Sequence, residues 1–169
     1  MKKRMIFVLA IAVLFCMAGC QSGAAQDTQA AGNDYGEQIF SFTYKDVEIK
    51  LADPAEPIIE KLGEPTKYTE SASCAFEGLD KSYYYGSFYL ETYPQGDKDF
   101  VYGWWFADDT VTTPEGIYIG SSQADVEKAY GAENFNGTNS FTVKKGNGTL
   151  TVILEEGSVT SIQYNLNVE

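Results

Sequence analysis

Histidine is absent from the 169-residue chain, and cysteine occurs three times. Without imidazole, Cys–His and Ser–His nucleophilic catalysis and most zinc sites are excluded in one step. Cys16 and Cys20 belong to the N-terminal export segment, so Cys74 has no partner for an internal disulfide. Cys74 reads as a small apolar or inert loop residue rather than a nucleophile. Positive charge is also scarce, with 12 Lys and Arg against 24 Asp and Glu and a formal net charge of −12. Nucleic acid and anionic lipid surfaces would repel such a chain. No phosphate loop, dinucleotide fingerprint or catalytic elbow occurs. Asp97/Asp99 and Asp108-Asp109 lie beside turn signals, where aspartate serves local hydrogen bonding, and their spacing matches no glycosidase or calcium motif. The expectation is a chain that is not an enzyme, with no metal site and no cofactor.

What is present begins with an export signal. Lys2, Lys3 and Arg4 form a basic start, and Met5 to Phe15 supply an apolar run too short for a stable membrane span. Met17-Ala18-Gly19-Cys20 then resembles the lipobox of bacterial lipoproteins, with Met17 where leucine is usual. That resemblance implies a signal peptide over residues 1–19 and a diacylglycerol on the Cys20 thiol. It also implies attachment to the extracytoplasmic face of the cell membrane. Without the three leader cations the mature chain keeps nine basic residues against 24 acidic ones, a formal charge of −15.

Residues 20–38, rich in Gly, Ala, Gln and Asp, contain too little large apolar surface to order themselves. They read as a flexible tether with a root-mean-square span of about 20 Å. The folded part is expected from Ile39. FSFTYKDVEIKL alternates apolar and polar residues around Lys45-Asp46, the pattern of a hairpin. ADPAEPIIEKLG then reads as a short helix with Asp53 as N-cap, Pro54 at the first position, Glu56 completing a capping box and Gly63 ending it.

The same grammar returns in GIYIGSSQADVEKAYG, 68 residues further on. Ile49 aligns with Ile117, Leu51 with Ile119, Asp53 with Ser121, Ile58 with Val126, Leu62 with Tyr130 and Gly63 with Gly131. Strands are expected after each helix: Tyr83–Tyr93 and Phe100–Ala107 in the first copy, with a weaker one near Tyr68–Phe76. The second copy should hold strands at Phe141–Lys144, Thr149–Glu155 and Val159–Leu166. The expected architecture is α+β: two tandem repeats of a helix plus antiparallel strands, residues 39–110 and 111–169, forming one antiparallel sheet with its helices on one face.

Ile117, Ile119, Gly120, Asp125, Val126, Tyr130 and Gly131, with Leu51, Ile58, Leu62 and Gly63 before them, resemble the β-lactamase inhibitor protein fold. They are similar also to small lipoproteins of the outer-membrane assembly machinery and to uncharacterised Gram-positive lipoproteins. The resemblance covers residue 39 to the end and implies the repeat architecture more than a function.

SYYYGSFYLETY, Ser82 to Tyr93, carries six aromatic residues in twelve positions. Read as one strand, it places Tyr84, Phe88 and Leu90 inward and Tyr83, Tyr85, Tyr89 and Tyr93 outward. FVYGWWF in the next strand places Tyr102, Trp104 and Phe106 on one side and Trp105 on the other. The second repeat keeps mostly polar outer positions. Tyr83, Tyr85, Tyr89, Tyr93 and Trp105 are therefore the expected binding face, suited to an extracytoplasmic protein partner and to an inhibitory or assembly role. The alternative is a carbohydrate or peptidoglycan-fragment binder, which would stack sugars on one or two rings in a narrow groove.

Overall fold

The computed structural model describes residues 39–168; the expected signal peptide, Cys20 and tether lie outside the described residues. Strands β1 (Ser41–Tyr44) and β2 (Val47–Lys50) form an antiparallel hairpin. Lys45 and Asp46 turn it with φ of 47° and 65°, the left-handed pair that matches strand twist in a two-residue turn. Helix α1 (Glu56–Leu62) follows. Then come β3 (Lys67–Ala72), β4 (Leu79–Tyr84), β5 (Phe88–Gln95) and β6 (Lys98–Phe106). Helix α2 (Gln123–Tyr130), a 3-10 turn at Ala132–Asn134, and strands β7 (Ser140–Lys145), β8 (Gly148–Glu155) and β9 (Ser158–Leu166) complete the chain. Strands β3 to β9 make one antiparallel sheet in the order β3-β4-β5-β6-β9-β8-β7. The fold class is α+β, dominated by this sheet.

One face of the sheet carries the core. Phe88, Leu90, Trp104, Phe106, Leu150, Val152, Ile162 and Tyr164 are buried on it. The β1–β2 hairpin lies against them: the Phe42 ring centroid is 5.1 Å from Phe88 and 5.2 Å from Trp104, and Phe40 meets Tyr164 edge-on at 5.2 Å. Ile58 of α1 and Val126 of α2 join the same cluster.

The structure departs from the sequence expectations at several points. Ser82–Tyr93 is the end of β4, a turn through Gly86 at φ 90°, and β5, not one strand. The turn reverses the parity, so that Tyr83 pairs with Leu90 and Tyr84 with Tyr89. Asp53 does not cap α1; the N-cap is Ala55, with no side-chain hydrogen bond, and Glu56 is the first helical residue. Asp53 and Pro54 instead run beside β6. Val101 donates its N–H to the Asp53 carbonyl at 2.9 Å, and Pro54 bridges Phe100. The competing demand is the unfilled edge of β6, which β9 covers only at Gly103–Trp105. Ile117–Gly120, which aligns with Ile49–Ala52 at the end of β2, forms no strand, although Gly120 donates to the Val159 carbonyl and Val159 to that of Ser121, at 2.8 and 2.9 Å. Helix α2 does carry a full capping box, formed by Ser122 and Asp125.

Candidate functional site

The other face of the sheet presents a continuous cross-strand row. Register places Lys67, Tyr84, Tyr89, Trp105, Gln163, Thr151 and Thr142 side by side across all seven strands. At one end of the row the rings pack on each other. Tyr84 and Tyr89 stack with centroids 4.4 Å apart, and Tyr89 and Trp105 at 3.9 Å with planes within 3°. Lys67 Nζ lies 5.8 Å from the Tyr84 ring centre. All three rings are half-buried. Because β5 lies between β4 and β6, Tyr89 is covered on both ring faces, and the row offers edges and hydroxyl groups to whatever approaches.

The adjacent row on this face runs Thr69, Ser82, Glu91, Gly103, Asn165 and Thr149. Trp105 Nε1 donates to Glu91 Oε1 at 3.4 Å, which ties the two rows together. Gly103 is required here by packing: a Cβ would collide with the Tyr164 carbonyl oxygen and approach Asn165 Oδ1 to 2.9 Å.

Beside these rows is a cavity of about 450 Å3. Thr69, Ser82 and Glu91 contribute to it from the sheet, and the Ser73–Phe76 stretch between β3 and β4 closes one side. Phe76 packs on Tyr93 at 5.0 Å, and Tyr102 also lines the space. Cys74 is an exposed thiol on its margin.

Of the residues expected on the binding face, Tyr89 and Trp105 occupy it together. Tyr93 does not; it is 3% exposed, covered by Phe76 and packed near Phe100 and Tyr102. Tyr83 and Tyr85 pack against the core cluster. Burial raises the Tyr83 hydroxyl's pKa and pushes that of Tyr85 up to about 12, as expected for phenols turned away from water. Tyr84 and the Tyr102 wall were not expected there, whereas Glu91 keeps the outward parity that period-two alternation gives it beside Tyr89. The Gly86 turn displaces the first, and a register shift between Glu91 and Thr92 leaves Tyr102 unpaired on β6 and breaks the alternation with Trp104.

Among the described residues no group of three or more Cys, Asp or Glu is placed to hold a metal ion. Compared with known proteins, the chain matches no protein-family model, no curated protein and no solved structure.

Proposed function

We propose that this chain is a lipid-anchored, extracytoplasmic module that binds a protein through the open face of its sheet. The carrying observation is the Tyr84–Tyr89–Trp105 stack. Sugar binding needs an uncovered ring face, and here Tyr89 is covered on both faces while Tyr84 and Trp105 each spend one face on it. Ring edges, phenol hydroxyls and a surround of Ser, Thr, Asn and Gln suit a protein surface, whose polar groups can meet them at many points. The anchor rests on the resemblance of Met17–Cys20 to a lipobox.

We also infer that the fold is a tandem repeat of the β-lactamase inhibitor protein type. Ala52 donates to Val101 and Val101 to Asp53; Gly120 donates to Val159 and Val159 to Ser121. Ala52 and Gly120, like Asp53 and Ser121, are 68 residues apart, while their strand partners Val101 and Val159 are 58 apart, and both Ala52 and Gly120 have positive φ, 65° and 106°. That correspondence supports the repeat and falls at the offset read from the sequence.

Three experiments test the function. Cys20→Ser should move the protein out of the membrane fraction or leave an unprocessed precursor, and unchanged processing with full retention removes the anchor. A photo-crosslinking phenylalanine analogue at position 84 should trap a discrete protein adduct in intact cells. The same probe at exposed Tyr118 should not. Equal labelling at both positions, or none at 84, defeats the binding reading. Retention of the chain on purified peptidoglycan, lost in Trp105→Ala, would favour the carbohydrate alternative.

A further inference from the structure

The cavity beside the ring stack has a definite chemistry. Its volume of about 450 Å3 falls in the roughly 300–1,000 Å3 range of ligand clefts and exceeds what one side chain fills. Three aromatic residues, Phe76, Tyr93 and Tyr102, belong to its lining, with Phe76 and Tyr102 half-buried and Tyr93 nearly covered, and they supply apolar surface. Glu91 is half-buried on its sheet side, and its carboxylate, which has about four acceptor sites, receives one long hydrogen bond of 3.4 Å, from Trp105. Asp80 adds a second carboxylate to the lining. The cation in the lining, Lys81, is committed elsewhere, its Nζ 2.6 Å from Asp99 Oδ2. The chain as a whole carries a net charge of −12, which draws cations toward such a recess.

We propose that this cavity receives a basic side chain, lysine or arginine, of the protein bound on the open face; the inference rests on the protein-binding reading above. The apolar stem lies along the rings, and the charged end reaches Glu91. A sugar would use the hydroxyl-bearing residues but has no need of an uncompensated carboxylate between aromatic walls. A basic side chain uses both, and its docking beside the Tyr84–Tyr89–Trp105 stack would fix the register of the partner on the sheet.

The test requires no partner. Calorimetry on the purified full chain at low salt should detect N-acetyl-arginine amide or N-acetyl-lysine amide. The neutral N-acetyl-norleucine amide should bind at least tenfold more weakly. Glu91→Gln should weaken the cationic probe at least fivefold with an unchanged thermal midpoint, and 0.5 M salt should weaken it further. Should Glu91→Gln misfold, Ser82→Lys, which places an ammonium in the recess, should abolish probe binding. Equal affinity for the neutral probe, or tighter binding of N-acetylglucosamine oligomers, overturns the proposal. So does indifference of a folded Glu91→Gln to the substitution. A position-84 adduct without probe binding sinks this inference alone; probe binding without any adduct removes the reading on which it rests.

Discussion

Trp104 and Tyr164 stack across the seam between β6 and β9, with ring centroids 4.8 Å apart and planes 26° from parallel, and both are fully buried. They stand opposite each other at the middle of the three-residue pairing that joins β3–β6 to β7–β9. Trp104→Ala should therefore cost about 3–5 kcal/mol. Gly103→Ala, which forces a methyl against the Tyr164 carbonyl, should cost about 1–3 kcal/mol although it adds one carbon. Urea denaturation of both variants checks this. A Gly103→Ala protein as stable as the parent would show that the seam can slide.

The tyrosines of Ser82–Tyr93 divide into two classes that substitution will separate. Tyr93→Ser removes a buried ring and should cost about 3 kcal/mol or more. Tyr84→Ser, on the open face, should cost about 1 kcal/mol or less, chiefly the stacking lost against Tyr89. Thermal unfolding of the two proteins under identical conditions should rank them in that order. The reverse ranking would mean that the open face is covered in solution.

Gly63 and Gly131 follow their helices with φ of 79° and 87°. A β-branched residue is poorly tolerated there, so Gly63→Val and Gly131→Val should each lose about 1 kcal/mol or more. At Gly63 nothing lies within 4 Å of an added Cβ, so its loss is chiefly backbone strain. At Gly131 the Glu133 carboxylate must also move aside. The second variant should be the less stable of the two when their denaturation midpoints are compared.

Asp53 has its carboxyl pKa raised from 3.8, first by burial, with Lys50 opposing and Glu48 reinforcing the shift. A carboxylate held above its unfolded value makes folding less favourable once ionised. Its contribution to stability therefore falls as pH rises from 3.8 through the folded pKa, and the penalty persists at neutrality. Asp53→Asn should be more stable than the parent at pH 7, with the advantage shrinking toward zero as the pH drops below about 4. Parallel stability curves for the two proteins across that range would contradict the burial cause.

The strand content and both short helices were legible because period-two alternation and a terminal glycine act locally, as in the β1–β2 hairpin and at Gly63. What the sequence concealed depends on distant backbone. Asp53-Pro54 reads as a helix start, yet the vacant edge of β6 takes that dipeptide as a partner, and no local pattern announces Val101. Strict alternation through the ring stretch gives the right face for Tyr89 and the wrong one for Tyr83 and Tyr85, because Gly86 among the tyrosines is a turn residue that resets the period. Tyr93 was lost to the face by Phe76, 17 positions earlier, folding over it. The cavity had no signal of its own, being assembled from β3, β4, β5, β6 and the Ser73–Phe76 stretch.

The chain has two tryptophans, adjacent in sequence, and the sheet turns them to opposite sides: Trp104 is fully buried, while Trp105 stands half-buried on the open face against Tyr89. Each single replacement thus leaves a built-in optical reporter for one compartment. With Trp105 replaced by phenylalanine, the remaining indole fluorescence follows the integrity of the interior. With Trp104 replaced, it follows the open face, including Trp105's bond to Glu91, so a pair of single-tryptophan variants reads occupancy and unfolding separately without an added dye.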